Sequence, residues 1–146
     1  MSTPSPALVA CNCLSLRQAA RQISQHYDQH LAPLGLTLNQ YSILAHLVSL
    51  GPTSVNDLAG ALVMDRTTLS RVMKPLQAAG LLSLATPEGD RRVRLLALTP
   101  AGEHLAAQAQ PVWATAQAQF EQLFGRDHAL ALRQTLHHVT HAVWPD

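Results

Sequence analysis

Aromatic side chains are scarce: two Trp, two Tyr and two Phe make up 4% of a chain whose hydrophobic residues reach 47%. A core with so few rings must rest on Leu, Ala and Val, which favours helices over a β-sandwich. Cysteine is nearly absent too. Cys11 and Cys13 lie too close together to staple a fold and are expected as free thiols. The longest apolar runs, such as 95–98, are far too short to span a bilayer. Residues 1–6 carry no basic side chain and lead into a short apolar stretch broken by Asn12, unlike a secretory signal, so a cytoplasmic protein is expected. Catalytic motifs are also missing: there is no G-x-S-x-G, P-loop or H-E-x-x-H, and only nine Asp+Glu in all. Neither an enzyme nor a bound cofactor is expected.

What remains is a chain of 146 residues, the size of one domain. Its net charge of +1 argues at first against a nucleic-acid partner. The distribution reverses that reading. Six of the ten Lys+Arg (Arg66, Arg71, Lys74, Arg91, Arg92 and Arg94) fall between positions 66 and 94, opposed there only by Glu88 and Asp90. That local excess of positive charge suits phosphates, although a solvated basic face would look the same by charge alone.

Residues 1–7 are Ser/Pro-rich and expected to fray. Apolar spacing of three and four predicts a helix over 12–31, ended by Pro33 and Gly35. Thr37 opens a capping box with Gln40 and a helix over 38–50. Ser54 caps a short helix to Leu62, Val63-Met64 makes a turn, and Asp65 caps a helix over 66–79 closed by Gly80. Residues 81–84 and 93–98 read as strands joined by a Pro/Gly/Asp loop. Thr99-Pro100 restarts a helix that runs to Phe124, bent or interrupted near Pro111, and Asp127 is expected to cap a last helix to about Val143.

The two helices around Val63-Met64 form a helix-turn-helix. In the second, Leu69, Val72, Met73 and Leu76 share the core face, leaving Arg66, Thr67, Thr68, Ser70, Arg71 and Lys74 outward. Short hydroxyls and guanidinium forks suit base edges and phosphates in a major groove, and the helix N-terminus offers amides to a phosphate. An ordinary amphipathic surface helix has the same pattern. The hairpin adds Asp90, Arg91, Arg92 and Arg94. A carboxylate two residues from an arginine at a loop tip can hold Arg92 extended, as insertion into a narrow minor groove requires.

Asp90-x-Arg92 followed after five residues by Leu98-Thr99 resembles the wing signature of the MarR family. Asp57-Leu58-Ala59, Asp65 to Leu69 (D-R-T-T-L) and Ala79-Gly80-Leu81-Leu82 resemble its helix-turn-helix. The resemblance implies a mainly α (α+β) fold: one domain over 1–146, with a winged helix-turn-helix lobe over 37–99. Dimerisation helices over 8–34 and 100–144 would flank it. It further implies a homodimer on a palindromic operator of double-stranded DNA, acting as a repressor. Release would follow binding of a small phenolic ligand or oxidation of a cysteine. Two apolar stripes fit such a dimer, from Leu105 to Leu123 and from Leu132 to Val143, although stripes of this kind also build ordinary cores.

The first helix also resembles that of the organic-hydroperoxide-sensing (OhrR-like) branch, in which a reactive cysteine precedes a tyrosine by fourteen residues. Cys13 and Tyr27 have that spacing; Arg17 stands where those sensors carry a second tyrosine. Cys13, with Cys11 beside it, is thus either a redox switch or an inert residue at a helix start. His26/His30 and His137/His141 have the i,i+4 spacing of zinc ligands but no acidic or cysteine partner in sequence, so no metal is expected. Tyr41, Leu44, His46, Trp113 and Phe120 are candidates to line a ligand crevice. A winged-helix protein–protein module without specific DNA binding is the rival reading, because fold alone does not confer DNA binding.

Overall fold

Side chains that cap helices set most of the element boundaries. The computed structural model describes residues 3, 5–87, 89 and 92–146. In chain order the elements are α1 (Pro6–Val9), α2 (Asn12–Leu31), α3 (Leu38–Leu50), β1 (Thr53–Ser54), α4 (Val55–Leu62), α5 (Arg66–Ala78), β2 (Leu82–Ala85), β3 (Leu95–Leu98), α6 (Pro100–Phe124) and α7 (Arg126–His141). The capping box at α3 is complete. The Gln40 amide donates to Thr37 Oγ1 at 3.2 Å, and the Thr37 amide donates to Gln40 Oε1 at 3.0 Å. Ser54, Asp65 and Thr99 cap α4, α5 and α6 through the amides of Asp57, Thr68 and Gly102.

Helix α3 lies at the centre of the lobe, packed against α2, α4, α5, β3 and α6. Its Tyr41, Ile43, Leu44 and Leu47 are buried with Leu31, Leu58, Leu69, Met73, Leu76, Leu82 and Leu96. As the scarcity of rings requires, this core is largely aliphatic. The sheet has the order β1-β3-β2, antiparallel throughout, with Leu82 opposite Leu98 and Ala85 opposite Leu95.

Four expectations are corrected. The sheet has a third strand, because Thr53 and Ser54 pair with Leu96 and Leu95. Residues 6–9 form one helical turn rather than frayed chain, with Pro6 supplying a helical φ at the first position. Helix α6 runs unbroken through Pro111, which lies on its exposed side, where water can serve the carbonyl that proline cannot. Asp127 does not cap α7. Gly125, at φ 84°, both ends α6 and stands in the cap position, so Asp127 falls inside the first turn, where its charge complements the helix dipole.

The two long apolar stripes are covered unequally. On α6, Ala109 and Ala116 are buried, but Leu123 is 78% exposed. On α7, Leu132 and Val139 are exposed, and Val143 beyond its end is fully so. Tyr27 ties α2 to α6 by donating to Gln117 Oε1. The Gln117 amide reaches Glu121 Oε1 at 3.3 Å, and Arg133 on α7 meets the same oxygen at 3.2 Å.

Candidate nucleic-acid interface

The helix-turn-helix consists of α4, the Val63-Met64 turn and α5. Val63 closes α4 in the left-handed region, at φ 52° and ψ 43°, which ends that helix before α5 begins. Asp65 then caps α5 with both oxygens: the Thr68 amide donates to Oδ1 at 2.7 Å and the Thr68 hydroxyl to Oδ2 at 3.0 Å. These bonds, first the backbone one, hold the Asp65 carboxyl below its ordinary range; the Thr67 amide and the Arg71 charge contribute less.

With α5 anchored this way, its period divides the faces. Leu69, Met73 and Leu76 are buried and Val72 half-buried, whereas Arg66, Thr67, Ser70, Arg71 and Lys74 are exposed. Thr68 departs from the expectation. It is half-buried and its hydroxyl is committed to Asp65, as is its amide, so this terminus has fewer free donors for a phosphate than the sequence suggests.

The wing rises from β2 and β3. Arg92 and Arg94 are exposed on it. Asp90 and Arg91, and with them the expected Asp90–Arg92 contact, lie outside the described residues. Among the described residues Arg66, Arg71, Lys74 and Arg94 form no ion pair, so their charge is available to an external anion. At the base of the wing the Thr99 hydroxyl donates to the Gly80 carbonyl at 2.6 Å and accepts from the Gly102 amide at 3.1 Å. One side chain thereby clamps the end of α5 to the start of α6, a physical role for a residue that the motif marked only by position.

The candidate switch residues are dispersed. Cys11 is half-buried, and its sulfur caps α2 by accepting from the Leu14 amide at 3.4 Å; Cys13 is exposed. Tyr27 is fourteen residues beyond Cys13 on the same helix, about 21 Å at 1.5 Å per residue, so the two do not meet within one chain. Burial raises the Tyr27 hydroxyl pKa, the Glu121 charge raises it further, and Arg133 opposes both. His26 Nε2 lies 3.0 Å from the Ala116 carbonyl and His30 Nδ1 2.8 Å from that of His26, so each ring has a structural partner. Among the described residues no three His, Cys, Asp or Glu side chains converge as metal ligands would.

The residues expected to line one crevice divide among several places. Tyr41 borders a cleft of about 670 Å³ between α3, β3 and the first half of α6. Its ring sits 6.3 Å from that of Trp113, and burial raises its hydroxyl pKa. Leu44 is wholly buried in the core, His46 Nδ1 lies 2.7 Å from the Ser42 carbonyl, and Phe120 faces a second groove among α2, α6 and α7.

A sequence model of the MarR family matches residues 34–93, the span from the entry to α3 through the wing. The solved structure of the transcriptional regulator MosR from M. tuberculosis, in complex with DNA, is similar with a TM-score of 0.81. The two are 31% identical, and the match covers 90% of this chain and 95% of that one. The chain belongs to the MarR family. The repressor CouR bound to a 23-mer DNA duplex is similar with a TM-score of 0.84 at 25% identity, over 95% of this chain and 99% of that one.

Among curated relatives, the uncharacterized HTH-type transcriptional regulator YwoH of Bacillus subtilis is 31% identical over 60% of this chain and 64% of its own length. The regulators named Hpr from Exiguobacterium sibiricum and Shouchella clausii are matched over 45% and 43% of their own length, so the chain spans less than two thirds of these relatives. The organic hydroperoxide resistance regulator of Bacillus subtilis is 29% identical over 66% of each chain, slightly below the 31% of YwoH. All of these relatives are named as regulators and none as an enzyme. No helix among the described residues is long and apolar enough to cross a membrane.

Proposed function

We propose that this chain is a sequence-specific transcriptional repressor that binds a palindromic operator as a homodimer in the cytoplasm. Helix α5 enters the major groove, and the wing places Arg92 in the adjacent minor groove. The observation that carries this reading is the outward face of α5, where Arg66, Arg71 and Lys74 stand exposed beside Thr67 and Ser70, without ion pairs among the described residues. Dimerisation uses the helices over 8–34 and 100–144, whose exposed Leu123, Leu132 and Val139 call for apolar cover, and leaves the lobe over 37–99 free to read a half-site.

Fluorescence anisotropy with duplexes from the promoter beside its own gene tests the proposal. Affinity for one palindrome should fall steeply with salt. Arg92→Ala should weaken binding by about tenfold without unfolding, and Lys74→Ala should lower the salt slope by about one. Salt-insensitive binding, unchanged in both variants, would instead indicate a protein–protein module.

Release by a small ligand is supported by the cleft below Tyr41. A second input is supported by the exposure of Cys13. A peroxide would oxidise its thiolate to sulfenic acid and leave as the alcohol or water. Equal loss of operator binding in wild type and Cys13→Ser after mild peroxide would remove Cys13 as a switch.

A further inference from the structure

The cleft between α3, β3 and α6 has a one-sided charge. Its walls include Ala45, Ala97 and Ala106, one from each element. Its polar lining residues include Tyr41, Gln110 and Glu103. No Lys, Arg or His is among the described residues lining it. Glu103 lies in the first turn of α6 and is exposed, and it forms no ion pair among the described residues. A volume of about 670 Å³ is that of a small-molecule site.

These observations discriminate between ligand classes. An aromatic carboxylate would give up hydration against alanine methyls, find no cation and face a like charge at Glu103. An apolar cation meets the opposite situation. Its body replaces water on the alanine wall, and its charge is matched by Glu103. We propose that the cleft binds a small apolar organic cation, an aromatic or alkyl amine, with its ammonium beside Glu103. The inference rests on the reading of this cleft as the effector site, and it names the chemistry of the effector.

The test is calorimetric titration of the full-length chain with three probes on one skeleton: 2-naphthylmethylammonium, 2-naphthylmethanol and 2-naphthoate. Operator binding is followed in parallel by anisotropy. The cation should bind about fivefold more tightly than the alcohol, and the carboxylate most weakly. Glu103→Gln should bring the cation down to the alcohol, and Ala107→Trp, which fills the cleft from an exposed position on α6, should remove binding of all three. Tighter binding of 2-naphthoate, no saturable binding of the cation, or a cation preference that survives both substitutions would each overturn the proposal. Cation binding with the expected dependence on Glu103 but no release of DNA would uphold the ligand class and overturn the effector reading alone.

Discussion

Val63 holds a left-handed backbone conformation that β-branched residues rarely adopt, because Cβ crowds the following carbonyl. Its side chain is 71% exposed, so little burial offsets the strain. Val63→Asn should therefore raise stability by about 1 kcal/mol in urea denaturation, since Asn tolerates this region. Two residues on, Asp65 links folding to pH. Its carboxyl lies below the ordinary 3.8 when folded, so the cap contributes above that value and is lost as pH falls through the lower, folded one. Thermal melts of wild type and Asp65→Asn at pH 6 and pH 3 should differ in slope, with the variant losing less of its melting temperature on acidification. Equal losses would mean that other carboxylates carry the acid sensitivity.

At the scale of elements, the segment after α5 and the start of α6 approach closely at Gly102. A Cβ on Gly102 would stand 2.2 Å from the Leu81 carbonyl oxygen, which already accepts the Thr99 amide at 3.1 Å. The obstruction is backbone and cannot rotate away. Gly102→Ala should cost about 3 kcal/mol despite the better helix propensity of alanine, measured by urea denaturation. The signal was present in the sequence as a glycine in the first turn of a helix, where packing is the usual reason for it. Helix starts at Thr37, Ser54, Asp65 and Thr99 were legible because each is a bond between a side chain and an amide three residues away. Strand β1 was not legible. Two residues carry no period, and their partners lie more than forty positions along the chain. The start of α7 was missed for another reason: a glycine that ends one helix left no residue for a separate cap before the next.

For the whole molecule, the apolar surface is concentrated at the ends of the chain. Leu123 and Phe124 close α6, Leu132 and Val139 follow on α7, and a groove of about 960 Å³ with Phe120 and Ile23 on its walls lies between these helices and α2. Leu132→Glu, at an already exposed position, should leave the fold intact, shift sedimentation toward the monomer and weaken operator binding by more than tenfold, because each half-site would be held alone. An unchanged dimer would place the interface elsewhere. The outward face of α5 could be read from helical period, since one element carries it. The cleft could not, because its walls come from residues as far apart as Tyr41 and Gln110, which only the packing of α3 on α6 brings together.

Helix α6 begins at the clamp beneath the wing and ends among the exposed apolar residues, in one piece of 25 residues. At 1.5 Å per residue it is a rod about 37 Å long. In the proposed dimer its far end is fixed by the partner and its near end carries the reading lobe, with the cleft beside the near end. A tilt of about 5° over such a rod displaces the lobe by about 3 Å. Two lobes displaced in opposite directions would lose register with half-sites spaced by one turn of DNA, about 34 Å. A ligand too small to reach either groove would then act on both through leverage alone.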